Sequence, residues 1–467
     1  MARPLLVAGV DSSTQSCKYI TVDVATGDVT GSTALPHPDG TAVNPRHWWD
    51  AFIGVGAASL RGVKAVSITA QQHSTILLGK DNEPLCDAIL WNDHRATQCA
   101  LDLRHEYGQD RWAREIGMVP TAAHPVSKLR WLARTEPETA ARLRKVMVPH
   151  DWLTWHLLGA AGEPTTDRSD ASGTGYWAST GAGYREDIME FAFGRAPEVP
   201  RVLEPGERAG ITRSGVVVGA GCGDNAAAVF GLGAEPGEAV VSIGTSMTVS
   251  MSDTMHVADP AGHVADMADA AGGQLPIVAT LNGARTLNST ARMLRLSLDE
   301  LDMLAAAGPP DAQGLCFLPY LDGERTPLLP ESQGALVGLT RQSMTPENLA
   351  RAAVLGLACA IADAIDDLAR AELRVQRVTL IGGGSRSMAL RQAVADLTGR
   401  QVGWPEPREY AALGAARQAA WALTGELPDW PRSERTFLDP SEAVEWAEDV
   451  RNRHKSTGAV LFGSELL

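Results

Sequence analysis

Two aspartates follow short apolar segments, at places where a carboxylate could act on a ligand. Asp11 comes directly after the apolar residues 5–10, and Asp224 comes after a valine-rich segment and three glycines. Glycine lets a ligand approach the backbone closely, so Asp224 could accept a proton from a substrate hydroxyl. Beside a bound phosphate, Asp11 would need a divalent cation between the two anions. Structural interpretations stay open, because Asp11 could shape a turn and Asp224 could be a helix N-cap.

Two hydroxyl-rich turns stand at similar places in the two halves of the chain. Residues 12–16 separate two strand-like segments, and residues 244–246 do the same in the second half. A tight turn between strands can point successive N–H groups into one concavity, where serine and threonine hydroxyls add donors for phosphate. The chain contains no P-loop motif and no complete dinucleotide-binding fingerprint. The turns are therefore the better candidates for holding a nucleotide tail, with an ordinary hairpin as the alternative for each.

Three further polar segments follow strand-like runs. Residues 382–387 place three glycines before a helix start, which is typical of an anion or nucleotide surface but also of an ordinary strand-to-helix turn. Residues 71–74 and 91–95 combine hydrogen-bonding groups with an aromatic ring and would suit a ligand with many hydroxyls. His73 alone would more often be structural, and the other histidines show no metal-binding spacing.

The elements that must position these residues alternate as in an α/β protein. Apolar and β-branched runs predict strands over residues 5–10, 18–24, 63–69, 239–243, 247–251 and 377–381. Apolar residues at helical spacing predict helices over residues 48–60, 95–107 and 346 to about 373, then near Ser387 and, last, near Tyr410. The Gly/Pro-rich residues 231–237 are the best domain boundary. The strand–turn–strand unit that follows repeats the opening unit and indicates an internal duplication.

The composition is that of a globular protein large enough for two or three domains. The 467 residues include 41 basic and 56 acidic ones, a net charge of −15, and 44% hydrophobic residues. The acidic balance argues against nucleic acid as the main partner. No apolar stretch is long enough for a membrane helix, and the N-terminal one, cut by Asp11, is too short for a signal peptide. Six scattered cysteines indicate free thiols, and we expect a cytoplasmic protein.

Taken together and in this order, the segments resemble the FGGY family of carbohydrate kinases. The resemblance extends from about residue 5 to about residue 425, and the joint pattern is specific although no single piece is. The matching stretches are residues 9–16 with Lys18, and residues 71–73, 88–93, 166–174, 223–227, 242–246, 317–327 and 381–387. Within the family, the pattern is most similar to the members that phosphorylate D-xylulose.

The resemblance implies an α/β fold of two actin-like ATPase domains, of ribonuclease-H-like type, with an interdomain cleft. It divides the chain into an N-terminal sugar-binding domain, residues 1–233, and a C-terminal nucleotide-binding domain, residues 234–425. Residues 426–467 would form a C-terminal extension. A homodimer is compatible with the resemblance.

The resemblance also implies an activity, the ATP-dependent phosphorylation of D-xylulose to D-xylulose 5-phosphate with Mg²⁺. Asp224 would be the general base on the attacking hydroxyl, and Asp11 would bind Mg²⁺ and manage transition-state charge. The residues implied to hold the ketose are Gln72, His73, Asp224 and Asn225. Those implied to face the phosphates are Thr14, Gly244, Thr245 and Ser246. Those implied to face the adenosine are Gly383, Gly384 and Ser387.

Two alternative functions stay open within the same fold. One is an FGGY kinase for another ketose or polyol, since Gln72 and Ser74 stand where the family commonly has methionine and glycine. The other is a non-catalytic sugar-sensing paralogue. The presence of both aspartates and both hydroxyl-rich turns favours the enzyme, because a degenerate paralogue usually loses one of them.

Overall fold

A computed structural model of the protein describes residues 4–57, 60–181, 183–442 and 444–463. Its strands, in chain order, are β1 Leu6–Ser12, β2 Ser16–Asp23, β3 Val29–Pro36, β4 Ala42–Val43, β5 Val63–Ala70, β6 Ile76–Leu78, β7 Ala88–Ile89, β8 Lys145–Met147, β9 Thr165–Asp167, β10 Trp177–Ala178, β11 Gly183–Tyr184, β12 Arg201–Leu203, β13 Arg208–Ile211, β14 Val217–Gly219, β15 Cys222–Gly223, β16 Glu238–Ile243, β17 Met247–Ser250, β18 Ala265–Ala268, β19 Gln274–Thr280, β20 Cys316–Leu318, β21 Ala335–Val337, β22 Arg377–Ile381, β23 Val402–Pro405 and β24 Arg435–Leu438.

The α-helices alternate with these strands. They are α1 Arg46–Gly54, α2 Thr97–Tyr107, α3 Gln109–Ile116, α4 Pro125–Thr135, α5 Pro137–Arg142, α6 Pro149–Leu157, α7 Arg168–Ser172, α8 Glu186–Phe193, α9 Asp224–Leu232, α10 Ala284–Leu294, α11 Leu298–Ala307, α12 Pro346–Arg370, α13 Met388–Thr398, α14 Tyr410–Thr424 and α15 Glu445–Phe462. Short 3₁₀ helices cover Ala312–Gly314 and Gly383–Arg386.

The described residues form two compact units whose segments alternate along the chain. The first unit takes its residues from Met1–Ala234, Ser252–Pro276 and Arg408–Arg432. The second takes its residues from Glu235–Met251, Ile277–Pro407 and Ser433–Leu467. The helix α14 therefore belongs to the first unit, although it follows most of the second unit in the sequence.

The first unit is built on a sheet with the strand order β13-β14-β5-β1-β2-β3. The central strand β1 pairs antiparallel with β2 and parallel with β5. The helix α14 packs closely on β1, since a Cβ on Gly9 would lie 1.9 Å from the carbonyl oxygen of Ala412. The β1 residue Val10 belongs to a hydrophobic core cluster that also contains the large side chains of Trp48, Phe52 and Trp152. The end of β1 is thus held rigidly, because helices and core residues bury it.

The second unit repeats this arrangement with the strand order β19-β17-β16-β22-β23-β24. Its central strand β16 pairs antiparallel with β17 and parallel with β22, as β1 pairs with β2 and β5. At the far edges, β23 lies parallel to β22 and antiparallel to β24, as β14 lies to β5 and β13. The predicted α/β fold and the predicted internal duplication are both confirmed by this strand order.

Most predicted elements are present, and their ends differ in places. The first helix stops at Gly54 and not at Leu60, because the chain turns at Gly56 with a φ of +85°. The long helix α12 follows the N-cap Thr345, whose hydroxyl accepts a hydrogen bond from the amide of Asn348, and it ends at Arg370. The prediction that the helix near Tyr410 is the last one is wrong, because α15 follows. The helix α15 buries few side chains, so the apolar periodicity of its sequence is weak.

Two exclusions made from the sequence agree with the structure. No helix in the described ranges is long and apolar enough to span a lipid bilayer. All six cysteines lie within those ranges and carry free thiols, with only Cys86 exposed. The prediction of free thiols is therefore confirmed.

Candidate active site

The sheet of the first unit brings Asp11 and Asp224 to the same edge. Thr69 of β5 pairs with Asp11 of β1 on one side and with Cys222 of β15 on the other. Asp224 comes two residues after Cys222 and is the first residue of α9, whose N-cap is Gly223. The interpretation of Asp224 as the N-cap is therefore wrong. Its carboxyl instead lies near Asp11, whose negative charge raises the pKa of Asp224.

Asp11 is a buried carboxyl that the surrounding protein does not fully satisfy. Its Oδ2 accepts a 3.4 Å hydrogen bond from the Ser13 hydroxyl and lies 3.9 Å from the Lys18 ammonium. Its Oδ1 is buried and has no hydrogen-bond partner among the described residues. Burial raises the pKa of Asp11 to about 6, Lys18 opposes the shift and Glu409 adds to it. The unpartnered oxygen and the burial of this carboxyl mean that the described residues compensate its charge only in part.

Asp224 is less enclosed and is oriented by its neighbour. Its Oδ1 accepts hydrogen bonds from the Asn225 amide at 3.0 Å and from Asn225 Nδ2 at 3.1 Å. Displacement of water by the surrounding protein raises the pKa of Asp224 to about 7, and the Asp11 charge adds to the shift. Backbone N–H groups of Asn225 and Gln72 act in the opposite direction. Near neutral pH this carboxyl is therefore a stronger base than an ordinary aspartate.

The Gln72 side chain connects Asn225 to the core of the first unit. Gln72 is buried, and its Nε2 donates to the Ser169 carbonyl at 3.1 Å. Its Oε1 accepts from Asn225 Nδ2 at 2.9 Å. The same Asn225 nitrogen lies within hydrogen-bond distance of Asp224, so three of the four residues predicted to hold the sugar form one network.

His73, the fourth of these residues, is held in an uncommon backbone conformation. Its φ is +65°, which is uncommon for a residue other than glycine. Its Nδ1 is 2.9 Å from the Gly173 carbonyl, so in the neutral ring Nδ1 carries the hydrogen and Nε2 is the acceptor. The buried Lys128 ammonium donates to the carbonyl oxygens of His73 at 2.8 Å and Ile89 at 2.9 Å. The Lys128 side chain therefore fixes the backbone of the loop that carries His73.

The segment 91–95 contributes one side chain to this region. Trp91 Nε1 donates a 2.8 Å hydrogen bond to the Thr14 hydroxyl, which also lies 3.5 Å from Gln71 Oε1. The Thr14 turn and the Gln71 loop are thereby joined. Asp93 is occupied in a two-fold ion pair, since both its oxygens accept from the Arg95 guanidinium at 2.8 Å.

The second unit contains a cavity of about 280 Å³ that the three predicted adenosine-binding residues line together, namely Gly383, Gly384 and Ser387. The lining also includes the apolar side chains of Leu287, Leu301 and Val354. Gly384 is required for close packing, because a Cβ there would lie 2.4 Å from Ile243 Cγ2. A cavity lined by glycines and apolar side chains is suited to an aromatic base.

The turn Gly244–Ser246 adjoins this cavity within the second unit. The Ala284 amide donates to the Gly244 carbonyl at 2.8 Å, and the Gly283 amide donates to the Thr245 carbonyl at 3.1 Å. Ala284 also lines the cavity, while Gly244 and Thr245 are exposed. The turn is thus placed where the tail of a molecule seated in the cavity could reach it.

Asp302 is a cavity residue that the sequence analysis did not identify. It accepts a hydrogen bond from the Ser387 hydroxyl, and the amides of Met388 and Ala389 donate to it at 3.0 and 3.1 Å. The Ser387 hydroxyl in turn accepts from the Leu390 amide at 3.0 Å, so Asp302 and Ser387 together cap α13. No local signal pointed to Asp302, because its partners are far away in sequence. For Lys128, which was also missed, the only signal was a lysine among the apolar residues of α4.

Comparison with known proteins gives a consistent result over the whole chain. Residues 6–234 match the N-terminal domain of the FGGY family of carbohydrate kinases, and residues 239–423 match its C-terminal domain. The chain is 42% identical to a xylulose kinase of Streptomyces coelicolor, over 99% of this chain and 97% of that protein. It is also 42% identical to a xylulose kinase of Streptomyces rubiginosus, over 96% of this chain and 95% of that protein.

A solved structure with sequence similarity shares the fold over nearly its full length. The crystal structure of xylulose kinase from Bifidobacterium adolescentis has a TM-score of 0.85 and 34% identity, and the match covers 97% of this chain and 99% of that one. Because both family domains match in order and together span most of the sequence, this protein is a member of the FGGY family of carbohydrate kinases.

Proposed function

We propose that the protein transfers the γ-phosphoryl group of ATP to the 5-hydroxyl of D-xylulose, giving D-xylulose 5-phosphate. The observation that carries this proposal is the pair Asp11 and Asp224, two neighbouring carboxyls with raised pKa values beside the Gln72–Asn225 network. The choice of sugar is supported by relatives 42% identical that are named xylulose kinase.

The division of labour that we propose follows the sequence domains. Residues 1–233 would bind the sugar and residues 234–425 the nucleotide, with residues 426–467 as an extension. In support, the four sugar-site residues lie in the first unit, and the cavity with Gly383 and Gly384 lies in the second. Two segments depart from this linear division, because Ser252–Pro276 and Arg408–Arg432 are part of the first unit. The second of them contains α14, which packs on β1. Its role would be to support the sheet that carries Asp11.

The sugar site is proposed to act through three side chains around the Asp224 carboxyl. Asn225 and Gln72 orient each other, and their amide groups would bind hydroxyls of the ketose. The acceptor Nε2 of His73 would bind another hydroxyl. Rigid positioning of this kind converts a bimolecular reaction into an effectively unimolecular one.

Asp224 is proposed to orient the attacking hydroxyl and to accept its proton. With a pKa near 7, a substantial fraction of the carboxyl is charged at neutral pH, and its proton affinity is higher than that of an ordinary aspartate. Phosphoryl transfer goes through a loose transition state in which the proton leaves late. Orientation by Asp224 would therefore matter as much as its basicity.

Asp11 is proposed to bind Mg²⁺. The fit is supported by its buried Oδ1, which has no partner within the described part of the chain, and by its raised pKa. Carboxylate oxygen is the ligand type that Mg²⁺ prefers, and a bound cation would neutralise phosphate charge. Without a cation, the Asp11 charge would repel the phosphates.

The nucleotide site is proposed to use the cavity and turns described above. Gly383, Gly384 and Ser387 would contact the adenosine, supported by their common place in the cavity lining. The turn Gly244–Ser246 would contact the phosphates, supported by its exposure and its link to the cavity through Ala284. Thr14 is proposed for the phosphates as well, with its hydroxyl positioned by Trp91.

A coupled ADP-release assay over ketoses, alditols, glycerol and gluconate tests the proposed function. We expect D-xylulose to give the highest kcat/KM and the reaction to need Mg²⁺. Faster turnover of ribulose, glycerol or gluconate would reassign the substrate. Calorimetric sugar binding without a phosphorylated product would favour the sugar-sensing alternative. A homodimer and a cytoplasmic location stay predictions, and sedimentation of the purified chain checks the first.

A further inference from the structure

A buried histidine lies among three carboxylates behind the Asp224 segment, all within the first unit. The His150 ring is fully buried, and its Nδ1 lies 3.1 Å from Asp170 Oδ2, 3.4 Å from Asp151 Oδ1 and 4.0 Å from Asp167 Oδ1. Burial by itself disfavours a charged ring, but Asp151 and Asp170 outweigh it and raise the pKa of His150 well above its ordinary value. None of these four residues has a part in the chemistry proposed above.

The other nitrogen of the ring holds the backbone that leads to Asp224. His150 Nε2 lies 2.8 Å from the carbonyl oxygen of Ala220. Nδ1 lies within ion-pair distance of Asp170 but makes no well-aligned hydrogen bond to a described residue. The doubly protonated imidazolium carries a hydrogen on each nitrogen, so it would interact with these carboxyls mainly through its charge. The contact is close, because a Cβ on Gly221 would lie 2.0 Å from Nε2. Gly221 also has a φ of +80°, which favours glycine.

A second connection joins the same cluster to the residue before Asp224. The Ser169 hydroxyl donates to Asp167 Oδ2 at 2.6 Å and accepts from the Gly223 amide at 2.9 Å. The Ser169 carbonyl accepts from Gln72 Nε2, so Ser169 also holds the Gln72 side chain of the proposed sugar site. The chain from Ala220 to Gly223 is thus held at both ends by the cluster.

We propose that His150 is a positioning residue for Asp224, a buried cation that lies among the carboxyls of Asp151, Asp167 and Asp170 and fixes the Ala220 carbonyl. The imidazolium can do both at once, since its charge lies among the carboxyls and its Nε2–H points to the Ala220 carbonyl. Removing it would leave buried carboxylates without compensation and would release the backbone that aims Asp224 at the substrate. This inference rests on the proposed function, because its main readout is phosphoryl transfer.

Two near-isosteric substitutions separate the two functions of the ring. In His150→Gln the amide nitrogen can stand near the position of Nε2, so the bond to Ala220 survives and the charge is lost. In His150→Asn the amide nitrogen stands near the position of Nδ1, so the contact with Asp170 survives and the bond to Ala220 is lost. The matched control is His105→Asn, at an exposed histidine of α2.

The measurement is kcat per folded molecule at saturating D-xylulose and MgATP, with KM for MgATP and the melting temperature alongside. Because misplacement of a reacting group by about 1 Å costs about 10²-fold, we expect His150→Asn to lower kcat by about that factor. We expect His150→Gln to stay within about threefold of wild type. Both should lower the melting temperature and leave KM for MgATP unchanged, and His105→Asn should match wild type.

Other results would overturn the proposal. If both variants melt early but keep the wild-type kcat per folded molecule, His150 is only structural. If His150→Gln loses as much kcat as His150→Asn, the bond to Ala220 is not what positions Asp224.

A readout on the wild-type chain does not depend on variants that fold. The ¹⁵N spectrum of histidine-labelled protein at pH 8 should contain one ring with both nitrogens protonated among the 11 histidines, and only neutral rings would overturn the proposal. If wild type phosphorylates no sugar, the proposed function fails, but this spectrum still tests the charge of His150.

Discussion

Asp11 stands opposite Lys18 in the β1–β2 ladder, and the Lys18 ammonium lies 3.9 Å from Asp11 Oδ2 but 2.6 Å from Glu409 Oε2. The Lys18 ammonium thus lies closer to Glu409 than to Asp11 and compensates only part of the Asp11 charge. A buried carboxyl with partial compensation is costly in the folded protein. A cation bound to Asp11 would supply the missing positive charge and offset this cost.

Asp11→Asn should lower kcat by about 10²- to 10³-fold, the range seen when one electrostatic contact to the transition state is removed. Binding of D-xylulose should change little, because Asp11 is not among the residues proposed to hold the sugar. Steady-state kinetics and calorimetry measure the two effects, and excess Mg²⁺ should recover part of the rate. Asp28→Asn, at an exposed acid next to β3, is the control. Retained turnover with reduced stability would make Asp11 a turn former.

Asp224→Asn should lower kcat by about 10²- to 10⁴-fold, the usual contribution of a general base. The change keeps the shape of the side chain and removes its charge. ATP binding should be preserved, since the cavity with Gly383 and Gly384 is in the other unit. Single-turnover kinetics at saturating substrates measure the chemical step. Transfer within about threefold of wild type would remove Asp224 as the base.

The same substitution should make the protein more stable at high pH. The folded pKa of Asp224, about 7, lies above its ordinary value of 3.8, so between these values the folded state binds more protons than the unfolded state. The contribution of this carboxyl to stability therefore falls as pH rises through this window. The Asn variant cannot titrate, and its melting temperature relative to wild type should increase from pH 5 to pH 8. An equal difference at both pH values would contradict the raised pKa.

Activity should follow the titration of Asp224. Because the base must be deprotonated, kcat/KM for D-xylulose should rise with pH and level off above about pH 7. The residual rate of Asp224→Asn should lack this step. A profile of kcat/KM between pH 5.5 and 8.5 checks it, with stability verified at each pH. A wild-type profile that is flat across neutral pH would argue against an Asp224 base.

Lys128→Met should weaken sugar binding and leave nucleotide binding intact. The substitution preserves the length of the side chain but removes the donor to the carbonyls of His73 and Ile89. A hydrogen bond from a charged group contributes about 1.5–3 kcal/mol, so we expect KM for D-xylulose to rise about tenfold or more. Lys64→Met, at an exposed position of β5, is the control. An equal rise in KM for MgATP would indicate a general loss of structure.

Two neighbouring glycines should respond differently to alanine. A Cβ on Gly383 meets no atom within 4 Å, whereas one on Gly384 would lie 2.4 Å from Ile243 Cγ2. Gly383→Ala should therefore keep the melting temperature and raise KM for ATP, because the new methyl group enters the cavity. Gly384→Ala should lower the melting temperature as well. If Gly383→Ala leaves KM for ATP unchanged, the adenosine does not lie against this loop.

The sequence by itself was enough for the fold class, the duplicated strand–turn–strand units and the family. These follow from local properties: alternation and β-branching predict strands, helical spacing predicts α12, and the motifs around Asp11, His73, Asp224 and Gly383 are short and ordered. The sequence also identified both acids and the three residues that line the cavity together. Such features depend on residues close to one another in the chain.

Only the tertiary structure placed the partners of these residues. The alignment of Asp11 with Thr69 and Cys222 depends on the register of three strands. The bracing of His73 by Lys128 and the contact of His150 with Ala220 join residues far apart in sequence. The physical reason is that a buried charge is tolerated only where distant segments supply its partners. No local sequence pattern predicts such contacts between distant segments, whereas the periodicity of a strand or a helix can be recognised in its own residues.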